Sequence, residues 1–284
     1  MSKRVIGLLC VWGCDKWIKY TCEQALEYCD EVIACCAPHS EKMLKYEDRT
    51  EEIVRSYKNI KYLEYNYYYV HSAIKADILN KMLNISSIED EDWIFILDSD
   101  EFYHKQTIDF VKANIGTNKF NSLTFKAYYF FINMKYYLIG EHTRLYKFYS
   151  YNKEKGKMFY PTQNFYIEHP INGITDLSRA VYHFGLLLNP YQKMDMWSEE
   201  YDNTKQDNKV KWMDQIYRNY DLNNQKYWID KNEKLSGIKS CWYNDGFKAD
   251  KNGEPFKFEG EIPDIIKNSD LYNIEDHRLT YNFK

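Results

Sequence analysis

The sequence predicts a mixed α/β fold: a mostly parallel sheet flanked by helices, with a helical C-terminal extension. Three observations carry this. Apolar runs of strand length recur up to residue 100. Segments with apolar residues at helical spacing separate them. One run, Trp93-Ile94-Phe95-Ile96-Leu97, stops abruptly on Asp98-Ser99-Asp100-Glu101. An unbroken apolar run fits a parallel strand covered on both faces.

Residues 4–11 read as the first strand. Residues 15–29 read as a helix with Ile18, Cys22, Ala25, Leu26 and Cys29 on one face. Residues 31–37 are a second buried strand, ended by Pro38, and residues 41–57 are charged and helical. Residues 60–65 are a third strand. Residues 72–85 form a helix with Ile74, Ile78 and Met82 at steps of four. The Asp98 strand follows. Repeated β-α-β units of this kind imply parallel strands joined by right-handed crossovers.

After Asp100 the rhythm changes. A short helix, 107–115, precedes an aromatic, partly alternating strand at 123–132. Strands at 144–148 and 180–184 suggest mixed or antiparallel additions. From about 191 the chain is polar and studded with Trp and Tyr, with helical stretches near 192–203 and 208–220. Trp212, Trp228 and Trp242 argue for packing there. The expected organisation is one domain over 1–190, with a first half 1–103 and a second half 104–190, and an extension over 191–284.

Composition narrows the function. The chain has 284 residues and a formal net charge of −4, which disfavours non-specific duplex binding through many phosphates. No stretch is long and apolar enough to span a membrane. The opening run is short and lacks a small-residue cleavage site, so it does not read as a signal peptide. Seven Cys, six of them before residue 37 and none in a Cys-x-x-Cys pair, read as reduced buried thiols in a cytoplasmic protein. The 28 Tyr suit stacking on sugars or bases, a core margin, or AT-rich coding.

Ligands of open α/β sheets bind at the carboxyl ends of strands. Asp98 and Asp100 therefore stand where a site is expected, and paired carboxylates there suit Mg²⁺ or Mn²⁺ with substrate phosphates. The other acidic pair, Asp90-Glu91-Asp92, precedes its strand and reads as a solvated loop.

At these residues the chain resembles a glycosyltransferase of the GT-A (Rossmann-like) fold, family 2 type, over roughly 4–190. The resemblance rests on DWIFILDSDEFY (92–103), RLYKF (144–148), YIEHPI (166–171) and VYHFG (181–185), in the family's order. It implies a nucleotide-sugar donor, a UDP-sugar first, a divalent metal (Mn²⁺ or Mg²⁺), and inverting transfer of a hexosyl or pentosyl group to a hydroxyl acceptor. That acceptor is a glycan or, in a less usual case, a modified DNA base. By analogy Asp100 is the direct metal ligand, Asp98 faces the ribose or the metal through water, and His183 is the late ligand. His183 also fits a hydrogen-bonded core histidine. An inverting transfer needs a general base. Glu168 is the first candidate and Glu101 the second. Arg144 would pair with phosphate or with the aspartates. Lys75 would contact the diphosphate, Asp77 the nucleoside, and Trp12 would stack over the nucleotide. The segment Ala37-Pro38-His39-Ser40-Glu41 lacks the Asp that relatives carry at the end of the second strand. The rival readings are an inactive carbohydrate- or nucleotide-binding module and a haloacid dehalogenase-type phosphatase with Asp98 as nucleophile.

Overall fold

A computed structural model describes residues 3–38, 41–65, 74–116, 121–148, 172–174, 176, 178, 180–193, 195, 214–236, 252 and 254–281. The chain divides into two compact units. The first comprises residues 1–126 and 142–181, the second residues 127–141 and 182–284.

The first unit is a mixed α/β structure whose sheet is mostly parallel. Strands β1 (Val5–Val11), β2 (Glu31–Cys36), β3 (Ile60–Tyr62) and β4 (Trp93–Leu97) run in the order β3-β2-β1-β4, every neighbour parallel. Strand order thus reverses between β1 and β4, and Leu9 pairs with Leu97, so β1, which continues to Val11, extends past the end of β4. Beyond β4 the sheet turns antiparallel: Trp93, Ile94 and Phe95 pair with Lys147, Tyr146 and Leu145 of β7 (Asn133–Lys147). Strand β5 (Glu101–Tyr103) follows the Asp98 turn, and β6 (Ser122–Phe131) pairs with β8 (Asn172–Ile174).

Side chains alternate across a strand, and helices cover both faces. Helix α3 (Ile74–Ile85) packs Ile78, Leu79, Met82 and Leu83 against Ile6, Leu8 and Cys10 of β1 and Ile33 and Cys35 of β2. Helix α1 (Asp15–Tyr28) buries Trp17, Ile18, Cys22 and Ala25. Gly7, on the alternate face of β1, allows Cys29 and Leu97 to close in: a Cβ there would lie 2.8 Å from the Cys29 sulfur. Helices α4 (Lys105–Asn114) and α2 (Thr50–Ser56) are the other α-helices among the unit's described residues.

In the second unit, β10 (Phe256–Lys257) pairs antiparallel with Tyr137 and Tyr136 of β7, and β9 (Val181–Leu186) carries Tyr182 and Phe184. An aromatic core forms around Phe130, which stacks on Phe184 at 4.9 Å, and Tyr128, which meets Tyr137 edge-on at 4.7 Å. Tyr217 and Tyr220 pack on Phe131. Helix α5 (Gln225–Ser236) brings Trp228 to Tyr220, and α6 (Asp264–Lys267) follows β10. Ile132, between β6 and β7, adopts φ 65°, a strained value for a β-branched residue. Its carbonyl accepts from the His277 N–H at 2.9 Å.

Several expectations change. The helix read over 41–57 is broken into a 3-10 helix, Glu41–Tyr46, and α2. The break is held by Asp48, whose Oδ1 accepts from the Thr50 N–H at 2.8 Å. The third strand ends at Tyr62, and the strand read at 144–148 is the end of the much longer β7. The helices read near 192–203 and 208–220 lie mostly outside the described residues; 217–219 is a 3-10 turn. The Asp90-Glu91-Asp92 stretch is only partly solvated. Asp92 is buried, and its carboxylate accepts from the Arg4 guanidinium at 2.7 Å and the Arg4 N–H at 3.1 Å. No helix among the described residues is long and apolar enough to cross a membrane. The six described cysteines are free thiols, all buried or half-buried. Burial pushes the thiols of Cys22 and Cys36 up to about 12.

Candidate active site

The site begins where β4 ends. Asp98, Ser99 and Asp100 form a turn that leads into β5, with the Glu101 N–H donating to the Asp98 carbonyl at 3.3 Å. Asp98 is half-buried, while Asp100 and Glu101 are buried. This turn lies at the carboxyl end of a parallel strand, beside the point where strand order reverses. That is the crevice where open α/β sheets bind ligands.

Arg144, on β7, reaches the same turn. Its Nε donates to Glu101 Oε2 at 2.6 Å, and its Nη2 donates to Asp98 Oδ2 at 2.8 Å and to Glu101 Oε1. The guanidinium thus bridges an aspartate and a glutamate of the turn. His142 precedes Arg144 by two residues, so both lie on one face of β7. Its Nε2 stands 3.8 Å from Glu101 Oε1. Below, the Tyr103 hydroxyl lies 3.4 Å from Glu101 Oε2.

Burial pushes the Glu101 carboxyl up to about 7; Arg144 opposes this through its charge and hydrogen bonds, and Asp98 and Asp100 reinforce it. Burial also works against the charge of Arg144, but Glu101 and Asp98 outweigh it and hold the guanidinium protonated well above its ordinary range. The Tyr103 hydroxyl is likewise held protonated, first by burial and then by Glu101.

The other expected residues fall in different places. Trp12 is buried, and its indole N–H donates to the Met43 carbonyl at 2.8 Å, so its ring anchors the first loop to the 3-10 helix. Asp77 accepts from the Tyr65 hydroxyl at 2.8 Å and from Lys81 at 2.7 Å, one turn along α3. Lys75 lies on α3, and its side chain is outside the described residues, as is the whole of Glu168. His183 belongs to the second unit, on β9. Its Nδ1 accepts from the Gly185 N–H at 3.1 Å, and its ring lies 4.5 Å from that of Tyr129.

Sequence reasoning missed His142, although its two-residue spacing from Arg144 on a strand was a usable signal. It also missed Thr21 and Gln24 on α1, whose side chains bond to the backbone of the Asp98 segment. Nothing in the helical pattern marked them, because polar residues on a buried helix face have no signature of their own.

No model of a known protein family matches the sequence, and no curated protein matches it. Among solved structures, the chain is similar to S. aureus TarS, residues 1–349, at 12% identity and a TM-score of 0.40, over 82% of this chain and 80% of that one. The likeness is too distant to bear on function.

Proposed function

We propose that the chain is a metal-dependent glycosyltransferase that moves a sugar from a nucleotide-sugar donor to a hydroxyl acceptor, with inversion. The observation that carries this reading is a buried parallel strand, β4, that ends at the reversal of strand order on Asp98, Asp100 and Glu101, with Arg144 bonded to the first and last. Arg144 engages Asp98 and Glu101, and the Asp100 carboxylate beside them in sequence leaves negative charge for a divalent cation to balance; carboxylate oxygens with an imidazole close by suit Mn²⁺ or Mg²⁺. The residues present therefore fit such an ion, which when bound supplies Lewis-acid neutralisation of a diphosphate leaving group.

Asp100 is the proposed ligand, and Asp98 the neighbour that faces the ribose or the ion through water. His183 is the proposed late ligand. Glu168 remains the proposed general base. Glu101 suits that task less well, because both of its oxygens are engaged by Arg144 and it is buried; its role is to hold Arg144. The same Arg144 bond favours this reading over a phosphatase, in which Asp98 would have to attack as a free carboxylate. Lys75 is proposed for the diphosphate, and residues 191–284 for the acceptor, a glycan or a modified DNA base. The free thiols fit a cytoplasmic setting.

The test is thermal stabilisation by a panel of nucleoside diphosphates and nucleotide sugars, with and without Mn²⁺. A shift that requires both metal and one nucleotide, and is lost in Asp100→Ala, is the expected result. Stabilisation that persists in Asp100→Ala overturns the site, and no stabilisation by any pair overturns the donor class.

A further inference from the structure

The turn that carries Asp98 and Asp100 leads into β5, a strand of three residues. One face of α1 holds it. The Thr21 hydroxyl donates to the Ser99 carbonyl at 2.8 Å. Gln24 uses both ends of its amide: Nε2 donates to the Glu101 carbonyl at 3.1 Å, and Oε1 accepts from the Tyr103 N–H at 2.8 Å. The Tyr28 hydroxyl donates to the Tyr103 carbonyl at 3.2 Å. Thr21, Gln24 and Tyr28 follow one another at helical spacing, so they form a single stripe along α1.

Thr21 is fully buried and Gln24 almost so. Polar side chains at that depth are costly unless bonded. The Thr21 hydroxyl also reaches the Trp17 carbonyl, at 3.3 Å, yet its shorter bond crosses to Ser99, and both Gln24 bonds cross to β5. The Ser99 bond fixes the turn between the two aspartates. The paired Gln24 bonds fix how far β5 slides and how it rotates, and so fix where Glu101 meets Arg144 and Asp98.

We propose that Thr21 and Gln24 are positioning residues for the cation site, setting the separation and direction of the Asp98 and Asp100 carboxylates from behind. This rests on the reading of those aspartates as cation ligands. Groups that orient ligands without touching the ion commonly change affinity by about 10–100-fold when removed.

The test titrates Mn²⁺ alone into the full chain by calorimetry. The variants are Thr21→Val, Thr21→Ser and Gln24→Met, each checked for native circular dichroism. Thr21→Val keeps the shape and loses the donor, whereas Thr21→Ser keeps the donor. The expected result is weakening of Mn²⁺ binding by about tenfold or more in Thr21→Val and Gln24→Met, with wild-type affinity in Thr21→Ser. Folded Thr21→Val and Gln24→Met proteins that bind Mn²⁺ as the wild type does overturn the proposal while leaving the metal reading intact. Equal weakening in Thr21→Val and Thr21→Ser also overturns it, since packing rather than the bond would then be responsible. Should Gln24→Met fail to fold, the Thr21 pair decides alone. A wild-type chain that binds no Mn²⁺ removes the metal reading itself, and the proposal with it.

Discussion

Arg144 and Glu101 face each other through two hydrogen bonds, and the same guanidinium holds Asp98 at 2.8 Å. The pair joins β5 to β7 across 43 residues of sequence. Removing one partner of a buried pair leaves the other charge uncompensated and costs about 3–5 kcal/mol. Arg144→Met is expected to lower stability by about that amount in urea unfolding. Arg144→Lys should recover only part, because an ammonium cannot reproduce the planar two-bond contact. A loss below about 1 kcal/mol in Arg144→Met, the range of exposed pairs, would show that the pair contributes little.

The Glu101 carboxyl, raised from an ordinary 4.5 to about 7, gives the fold a specific pH dependence. The folded chain holds this proton more tightly than the unfolded chain does. Its contribution is therefore full below about pH 4.5 and is lost as pH rises through about 7. Glu101→Gln cannot lose that proton. The stability of the wild type relative to Glu101→Gln should fall across this window and level off above it. Denaturant titrations of both chains at a series of pH values measure the difference, and a flat difference would contradict the raised value.

Asp90 and Asp92 are two residues apart but not equivalent. Asp92 accepts from the Arg4 guanidinium, the Arg4 N–H and the Glu89 N–H, whereas Asp90 is exposed. Asp92→Ala removes a buried acceptor that serves three part-buried donors and should cost about 1–3 kcal/mol. Asp90→Ala should cost clearly less, within the range of surface substitutions, about 0.5 kcal/mol. Melting curves of the two variants provide the comparison.

Gly7 sits where a methyl group would lie 2.8 Å from the Cys29 sulfur and 2.9 Å from Leu97 Cδ1. Gly7→Ala should therefore destabilise by about 1–3 kcal/mol, as overpacked cores do. Because Leu97 precedes Asp98, the same variant should also weaken the metal-dependent nucleotide shift. Cys29→Ala in the Gly7→Ala background removes one of the two contacts and should restore part of the stability.

Much of the first unit could be read from sequence because its signals are local. β1, β2 and β4 are unbroken apolar runs, and α1 and α3 repeat their apolar residues at helical spacing, so composition within a short window decides them. The placement of Asp98 and Asp100 followed from the same runs. What escaped reading depends on distant partners. β5 contains a buried Glu101 and looks polar until Arg144 is placed against it. Asp92 looks solvated until Arg4, 88 residues earlier, is brought to it. Gln24 looks like a surface residue of a helix until β5 lies across it. The break in 41–57 depends on Asp48 capping back onto Thr50, a choice that propensity over a long charged stretch does not foresee.

The division of the chain has a consequence for how the protein is made. The first unit takes residues from both sides of the 127–141 segment, and the second takes that segment together with everything after 181. Neither unit is a contiguous piece of polypeptide. During synthesis the first unit lacks its final strands until the ribosome has passed residue 181, although β1 to β4 have long since emerged. Any attempt to express the second unit by itself cuts the chain within β6 and within β7 rather than in a linker. Excision of either half calls for rejoining chain ends, as in a circular permutant, rather than for a truncation.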